Sequence, residues 1–444
     1  MKAQILVSSE GSRKGKTVFT SGLLLALKRR NLRVQPFKCG PNCTDAMIHE
    51  MACGVHSVNL DLWMSTSNEM KGMYNAYGEK ADVTVVEGDK GLFDGYDCMK
   101  GSSAEIASKL SLSVVLVVDA KRTSYTMAAL IYGLTAYRKN VRVVGVVFNQ
   151  VSSEGQYAFL KQTCRDAGVP CLGYIPVIED LQIPGINQGV LQRGRMALQE
   201  KLSSLASEVE RHVDLDRLLA LSQAAFPCAY DLPYDSGLFH VPEPKRLNFR
   251  TAIPTDAAFH AVMHQNLEYF EEKGRVIGFS VLHSGMLPEA DFYYFPGGSL
   301  NLYARLVHRN KQLLNDIKWV AEQGAKMFVE GSSFALFAST MRGLSENTEY
   351  QMAGVFDAKC KAVVTEAKPA GYRSVEFNGV KLYGYESTTI ACSKISNTSG
   401  DVKAVQVYDV KGSAVSSPFV RYKNVIASLA SWHWSQRDLF KLWD

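Results

Sequence analysis

The 444-residue sequence predicts an α/β protein: a doubly wound parallel sheet in the first half, then a second α/β unit. Three observations carry this. Short, β-branched, nearly continuous apolar runs alternate with helical patterns up to about residue 175, as expected for strands covered on both faces. The stretch "ILVSSEGSRKGKTVFTSGLLLAL" from Ile5 gives a strand, a glycine-containing loop closing on Gly15-Lys16-Thr17, and a helix, in that order. A stretch with four prolines, "PCAYDLPYDSGLFHVPEPKRLN", then divides this series from a second strand–helix series.

The predicted strands of the first half are Ile5–Ser8, Val34–Phe37, Val83–Val86, Val114–Val118, Val143–Phe148 and Leu172–Ile175. Thr17–Arg29, Ala104–Leu110, Thr126–Tyr137 and Gln156–Ala167 read as helices between them, and an amphipathic segment from about Leu198 to Leu221 closes the half. The division expected is residues 1–225, a linker over 226–247, and residues 248–444. In the second unit, strands are expected at Arg250–Ile253, Val276–Ser280, Phe292–Phe295 and Met327–Val329, with helices near Asn266–Lys273 and Leu302–Glu322. From Val375 onward the sequence is rich in β-type runs and turns.

Bulk properties exclude several classes. A net charge of +5, scattered along the chain, does not point to nucleic acid, and the basic run "KRRNLR" suits a helix C-terminus. No apolar stretch approaches the ~20 residues of a membrane span. The chain begins with a strand rather than a signal-peptide pattern, so a cytoplasmic location and reduced thiols for all nine cysteines are expected. Cys39, Cys43 and Cys53 lack a standard zinc spacing.

The loop ending at Thr17 predicts a phosphate site. Backbone N–H groups and a helix N-terminus attract anions. Ser12, Lys14, Gly15, Lys16 and Thr17 would line the phosphates of ATP, with Lys16 reaching the β/γ-phosphates and Thr17 ligating Mg²⁺. Glu10 stands where the general pattern has its first glycine. Ligands of open α/β sheets bind at the carboxyl ends of the strands. "FKCGPNCTDAMIHE" puts Asp45 just beyond one strand, and "VVEGDKGLFDGYD" puts Glu87 at the end of another, with Asp94 and Asp97 following. Asp45 and Glu87, with Thr17, are the expected metal ligands, and Lys16, Asp45 and Glu87 the expected catalytic set. Both carboxylates are expected to tolerate amide substitution as exposed polar groups. Asn149, ending "VVGVVFNQV", either reads a base edge or caps a turn.

These motifs, with "NLDLWM", "GSSAEIA", "VVLVVDA" and "VPCLGYIP", and in the second half "DAAF", "NLEYFEEKG", "LPEADFYYFPGG", "AGYRSVEF" and "NVIASLASWHW", resemble the ATP-dependent cobyrinic acid a,c-diamide synthase family. Its wider clan includes dethiobiotin synthetase-like amidoligases. The resemblance implies ATP- and Mg²⁺-dependent phosphorylation of a tetrapyrrole carboxylate, with ammonia then displacing phosphate, as in cobalamin biosynthesis. The family's "GPDYIDP" reads "GPNCTDA" here, "EGVMGLFDG" reads "EGDKGLFDG", and "ERHLG" reads "GINQG" from Gly185, so the macrocycle-facing residues differ.

The same resemblance makes the second half a class I glutaminase-like domain that has lost its chemistry. The family's "AECGG" turn falls on "VEGSSFALF", placing Gly331 at the cysteine nucleophile, followed by Ser332 and Ser333. "GGGYPE" reads "PGGSLN", so Pro296 supplies no N–H and Asn301 replaces the acid. The "GHEFHYS" segment keeps Gly384 and Glu386, while Ser431 and His433 stand where the family has a His pair. Ammonia or a glutaminase partner is then the expected nitrogen source. A non-catalytic nucleotide- or tetrapyrrole-binding scaffold and a metallocofactor chaperone are the competing readings, and the sequence leaves a homodimer open.

Overall fold

The computed structural model describes all residues except 122–124, 179–194, 231–247, 345–347, 364–369, 388, 396–401 and 435–436. The chain divides into two compact units, Met1–Phe239 and His240–Asp444.

In the first unit, strands β1 (Lys2–Ser9), β2 (Val34–Cys39), β3 (Val58–Leu60), β4 (Val83–Glu87), β5 (Ser113–Asp119), β6 (Arg142–Val151) and β7 (Cys171–Pro176) form a parallel sheet in the order β3-β2-β4-β1-β5-β6-β7. All six expected strands are present, and β3 is an addition. Its three residues are too short for a periodicity signal, and it pairs with β2 only from Phe37 to Cys39. Helices α1 (Lys16–Arg29), α2 (Cys43–Cys53), α3 (Ser67–Gly78), α4 (Ser103–Leu110), α5 (Met127–Ala136) and α6 (Glu154–Asp166) alternate with the strands. The amphipathic closing segment is two helices, α7 (Arg195–His212) and α8 (Leu215–Leu221). Asp214 caps the second by accepting from the Arg217 N–H, which breaks the run.

Ile5, Val7, Val85 and Val117 are buried in the apolar layer on one face of the sheet, with Leu23, Leu27, Leu205 and Val209 from α1 and α7. Leu6, Val86, Val114 and Val118 face the other layer, with Tyr74, Ile106 and Leu160. Burial on both faces explains the unbroken apolar runs. The stretch beyond Leu221 does not leave the unit at residue 226. Gln223–Ala224 pairs antiparallel with Lys2–Ala3, and Cys228 exchanges hydrogen bonds with the Asn75 side chain at 2.8 and 3.0 Å.

The second unit holds a seven-stranded sheet. Five of its strands are parallel, in the order Arg275–Phe279, Arg250–Pro254, Phe292–Phe295, Met327–Val329, Val425–Ser428, and two antiparallel strands follow. Smaller antiparallel and mixed sheets account for the β-rich tail. The long helix expected at 302–322 is interrupted at Asn310, which caps the second piece, Lys311–Glu322, by accepting from the Leu313 N–H at 3.4 Å.

The expectation of nine free thiols is not met. Cys360 and Cys392 lie opposite each other on adjacent antiparallel strands and form a disulfide, a pairing that their separation of 32 residues does not advertise. Among the described residues, no helix is long and apolar enough to cross a membrane.

Candidate active site

Three adjacent strands end at one level. Lys38 of β2 is in register with Glu87 of β4, and Glu87 with Val7 of β1. The loop after β1 therefore runs beside the Glu87 carboxylate. Residues paired across parallel strands point to the same face, so Lys38 and Glu87 meet.

The loop carries its own constraints. Gly15 has φ +99°, and a β-carbon there would fall 2.1 Å from the Asn149 Nδ2 atom. The Asn149 side chain lies against this glycine and donates to the Lys14 carbonyl at 3.3 Å. Its amide thus contacts the loop backbone. Lys14 lies 3.7 Å from Glu10 and 3.6 Å from Asp119, while Ser12 is exposed. Lys16 folds back over the loop, donating to Ser9 Oγ at 3.0 Å and to the Gly11 carbonyl at 2.9 Å. Burial, and next the neighbouring Lys38 charge, hold the Lys16 ammonium below its ordinary pKa.

Behind the loop is a buried charge network. Lys38 Nζ donates to Asp45 Oδ2 at 2.9 Å, Glu87 Oε1 at 3.0 Å and the Gly88 carbonyl at 2.9 Å. Glu87 also accepts from Thr17 Oγ1 at 2.6 Å and contacts His49 Nε2 at 2.7 Å. An ionised carboxylate only accepts, so Nε2 carries the proton, and His49 Nδ1 meets Ser57 Oγ at 3.0 Å. Glu87 has no exposed surface. Burial alone would raise its pKa, but Lys38, His49 and Thr17 outweigh burial and hold it well below the usual carboxylate range. The same carboxylates overcome burial at Lys38 and keep it protonated. The Asp45 carboxyl is held above its ordinary pKa, first by burial, with the Glu87 charge adding to it.

Each expected residue thus has a place. Lys16, Thr17, Asp45 and Glu87 lie around one loop. Asp94 instead accepts from the Gly91 N–H at 2.9 Å, a turn bond, and Asp97 pairs with Lys100 on the surface. Glu87 is wholly buried rather than exposed. Among the described residues, no group of three or more His, Cys, Asp and Glu is disposed to hold a metal ion.

Sequence reasoning missed Lys38 and His49. Both had a signal: a lysine inside an apolar strand, and a histidine four residues after Asp45. The helix α2, capped by Asn42 accepting from the Thr44 and Asp45 N–H groups, puts positions 45 and 49 on one face.

In the second unit, the strand Met327–Val329 runs through Glu330 into a turn at Gly331–Ser333 and a short helix, Phe334–Phe337. Gly331 has φ +54°, and a β-carbon there would lie 3.0 Å from Gly297 Cα and 3.5 Å from Ser431 Oγ. Ser333 donates to the Pro296 carbonyl, and Ser332 Oγ accepts from the Leu300 N–H at 3.3 Å. Both hydroxyls therefore bond to the 296–300 segment. Glu330 is fully buried, bonded to the Tyr294 hydroxyl at 2.8 Å and the Trp432 N–H at 2.9 Å, and burial pushes its carboxyl up to about 8. Burial pushes His433 down to about 4, with Arg437 adding to it, so its imidazole is neutral near pH 7. Glu386 accepts from Arg373 Nε at 2.8 Å, a buried ion pair within the sheet.

Residues 5–187 match the CobQ/CobB/MinD/ParA nucleotide binding domain family, and residues 250–437 the CobB/CobQ-like glutamine amidotransferase domain family. The chain is 34% identical over 393 residues to a cobyrinate a,c-diamide synthase of Listeria monocytogenes, covering 87% of this chain and 85% of the relative. It is 32% identical over 387 residues to the protein of that name in Picrophilus torridus, covering 86% and 85%. The corresponding Salmonella typhimurium protein is 31% identical over 367 residues, covering 80% and 77%.

Proposed function

The chain belongs to the cobyrinate a,c-diamide synthase family, and from that premise we propose that its first unit activates side-chain carboxylates of a tetrapyrrole with ATP, for amidation by ammonia. The observation that carries this reading is the convergence of Lys16, Thr17, Lys38, Asp45 and Glu87 at the ends of β1, β2 and β4.

ATP supplies the phosphoryl group that turns an unreactive carboxylate into an acyl phosphate with a good leaving group. The chain supplies charge and position. Lys16 exchanges Ser9 and the Gly11 carbonyl for phosphate oxygens, placing its charge where negative charge builds. Lys38, protonated and fixed by three acceptors, adds a second cation that needs no rearrangement. Magnesium would be held by the Thr17 hydroxyl, which donates its hydrogen bond to Glu87 and keeps its lone pairs, and by Asp45, whose side chain is 17% exposed. Glu87 orients Thr17 and balances Lys38.

The second unit, on this reading, does not hydrolyse glutamine. Gly331 occupies the turn without a side chain, and the Ser332 and Ser333 hydroxyls are committed to the neighbouring segment. Nitrogen comes from free ammonia or a partner glutaminase.

Lys16→Ala tests the nucleotide site directly. Calorimetry should show Mg·ATP binding lost or strongly weakened, with the fold retained by circular dichroism. Unchanged ATP affinity in a folded variant would end the assignment.

A further inference from the structure

Helix α5 of the first unit turns an apolar side outward. Met127 and Ile131 are its buried side chains, one turn apart on the side that meets the sheet. At about 100° per residue, Gly133 lies at the centre of the opposite side, among Ala129, Leu130, Ala136 and Tyr137, all of them exposed. Tyr132 flanks this face, and Tyr125 and Phe159 continue it toward α6, their rings 6.3 Å apart. The large side chains of the face are 38% (Leu130) to 61% (Tyr132) exposed. From Thr126 to Tyr137 the sequence holds no charged residue. A surface helix ordinarily presents polar residues to water, and a contiguous apolar face marks a place where something docks. Gly133 points the same way. A glycine inside a helix weakens it relative to alanine, and its use there is to let another backbone come close. A β-carbon on Gly133 would meet no described atom within 4 Å, so no described part of this chain makes that approach.

We propose that α5 is the seam of a twofold homodimer, its open face packed antiparallel against the α5 of a second copy at Gly133. The face is complementary to itself. A twofold axis perpendicular to the helix at Gly133 sets Ala129 against Ala136 of the second copy, and Leu130 against Tyr137 of the second copy. Small residues meet small ones and let the backbones approach, while the larger side chains pack beside them. One patch then serves both copies, as an isologous interface requires. The lack of charge favours a second copy over a different protein. It brings no like charges together across the axis, and it offers a charged partner nothing to pair with. Arg138 and Lys139, exposed just past the helix, supply the polar rim. The size also fits. At ~200 Å² for a whole aromatic side chain, the exposed parts of Tyr125, Tyr132, Tyr137 and Phe159 come to roughly 450 Å² per copy. Leu130 and the small residues then bring the pair of copies to about the 1,000 Å² total that a specific interface must clear.

The test is sedimentation-velocity ultracentrifugation of the full chain at micromolar concentration, where a dimer is expected. It needs neither nucleotide nor tetrapyrrole, so its outcome is separate from that of the proposed activity. Gly133→Lys is the main variant. Lysine is a better helix former than glycine and has open space in a single chain, so circular dichroism should show the fold retained. In the dimer it would meet its own copy on the axis, and the dissociation constant should rise by about tenfold or more. Gly133→Cys, made in a Cys98→Ser background because Cys98 is the exposed native thiol, should link two chains through position 133 on mild oxidation. Cys98→Ser alone should not link. A wild-type monomer at micromolar concentration would overturn the proposal, and so would a dimer whose dissociation constant is the same in folded Gly133→Lys. A dimer that Gly133→Lys disrupts but that Gly133→Cys fails to link would overturn the crossing at Gly133.

Discussion

Glu87→Gln removes one charge from a network whose Lys38, His49 and Glu87 side chains are buried. Lys38 would keep Asp45 and the Gly88 carbonyl, but it would lose the countercharge that also organises Thr17 and His49. Breaking a buried ion pair by deleting one partner costs about 3–5 kcal/mol. Asp45 remains and glutamine keeps the shape, which places the loss near the lower end, about 3 kcal/mol. For a unit of 239 residues, each kcal/mol lowers Tm by about 2–4 °C, so a fall of about 6–12 °C is expected. The matched control is Asp82→Asn, which breaks the surface pair between Arg33 and Asp82, where both side chains are more than a third exposed. Such pairs contribute about 0–1 kcal/mol. Glu87 also sets a pH signature. Its folded pKa lies below the unfolded value of about 4.3, so its contribution is complete above that pH and is lost as pH falls through the folded pKa. Thermal unfolding followed by circular dichroism from pH 7 to pH 3 should show a constant gap between wild type and Glu87→Gln that starts to narrow below about pH 4. A Glu87→Gln Tm within about 2 °C of wild type at pH 7 would refute the view that this carboxylate balances buried Lys38.

The second unit offers two further tests. Glu330 has a folded pKa of about 8, raised by burial, against an unfolded carboxylate near 4.3. Between these values the folded chain keeps a proton that the unfolded chain releases, so stability falls as pH rises. Glu330→Gln should gain up to about 3 kcal/mol at pH 7 and flatten that slope. Urea unfolding followed by tryptophan fluorescence at pH 5 and pH 8 reads it well, since Trp319, Trp432, Trp434 and Trp443 all lie in this unit; an equal slope in both proteins would contradict it. Gly331→Cys should not create a glutaminase, because its β-carbon would press on Gly297 Cα in a left-handed backbone and no second histidine is present at Ser431. Glutamate release from the variant, tracking product, would count against this.

The strands and long helices of the first unit were legible because burial on both sheet faces leaves a plain apolar pattern. The phosphate loop was legible because its residue types are dictated by phosphate chemistry. What escaped was set by register. Nothing local says that Lys38 and Glu87, 49 residues apart, are partners across β2 and β4. Glu87 was expected to be exposed because strand ends in this fold usually face solvent, yet Lys38 and His49 close over it. The Cys360–Cys392 pair follows likewise from strand pairing that spacing alone does not reveal. The "GINQG" segment and residues 231–247 of the expected linker lie outside the described residues.

The proposed function requires this chain to amidate with ATP without drawing its nitrogen from glutamine by itself. The direct measurement is product formation by purified protein with Mg·ATP and cobyrinic acid or a related tetrapyrrole acid, comparing ammonium with glutamine. Amide product and matching ADP release are expected with ammonium, and neither product nor glutamate with glutamine alone. Glutamine-supported product with stoichiometric glutamate release, from protein free of contaminating glutaminase, would contradict it.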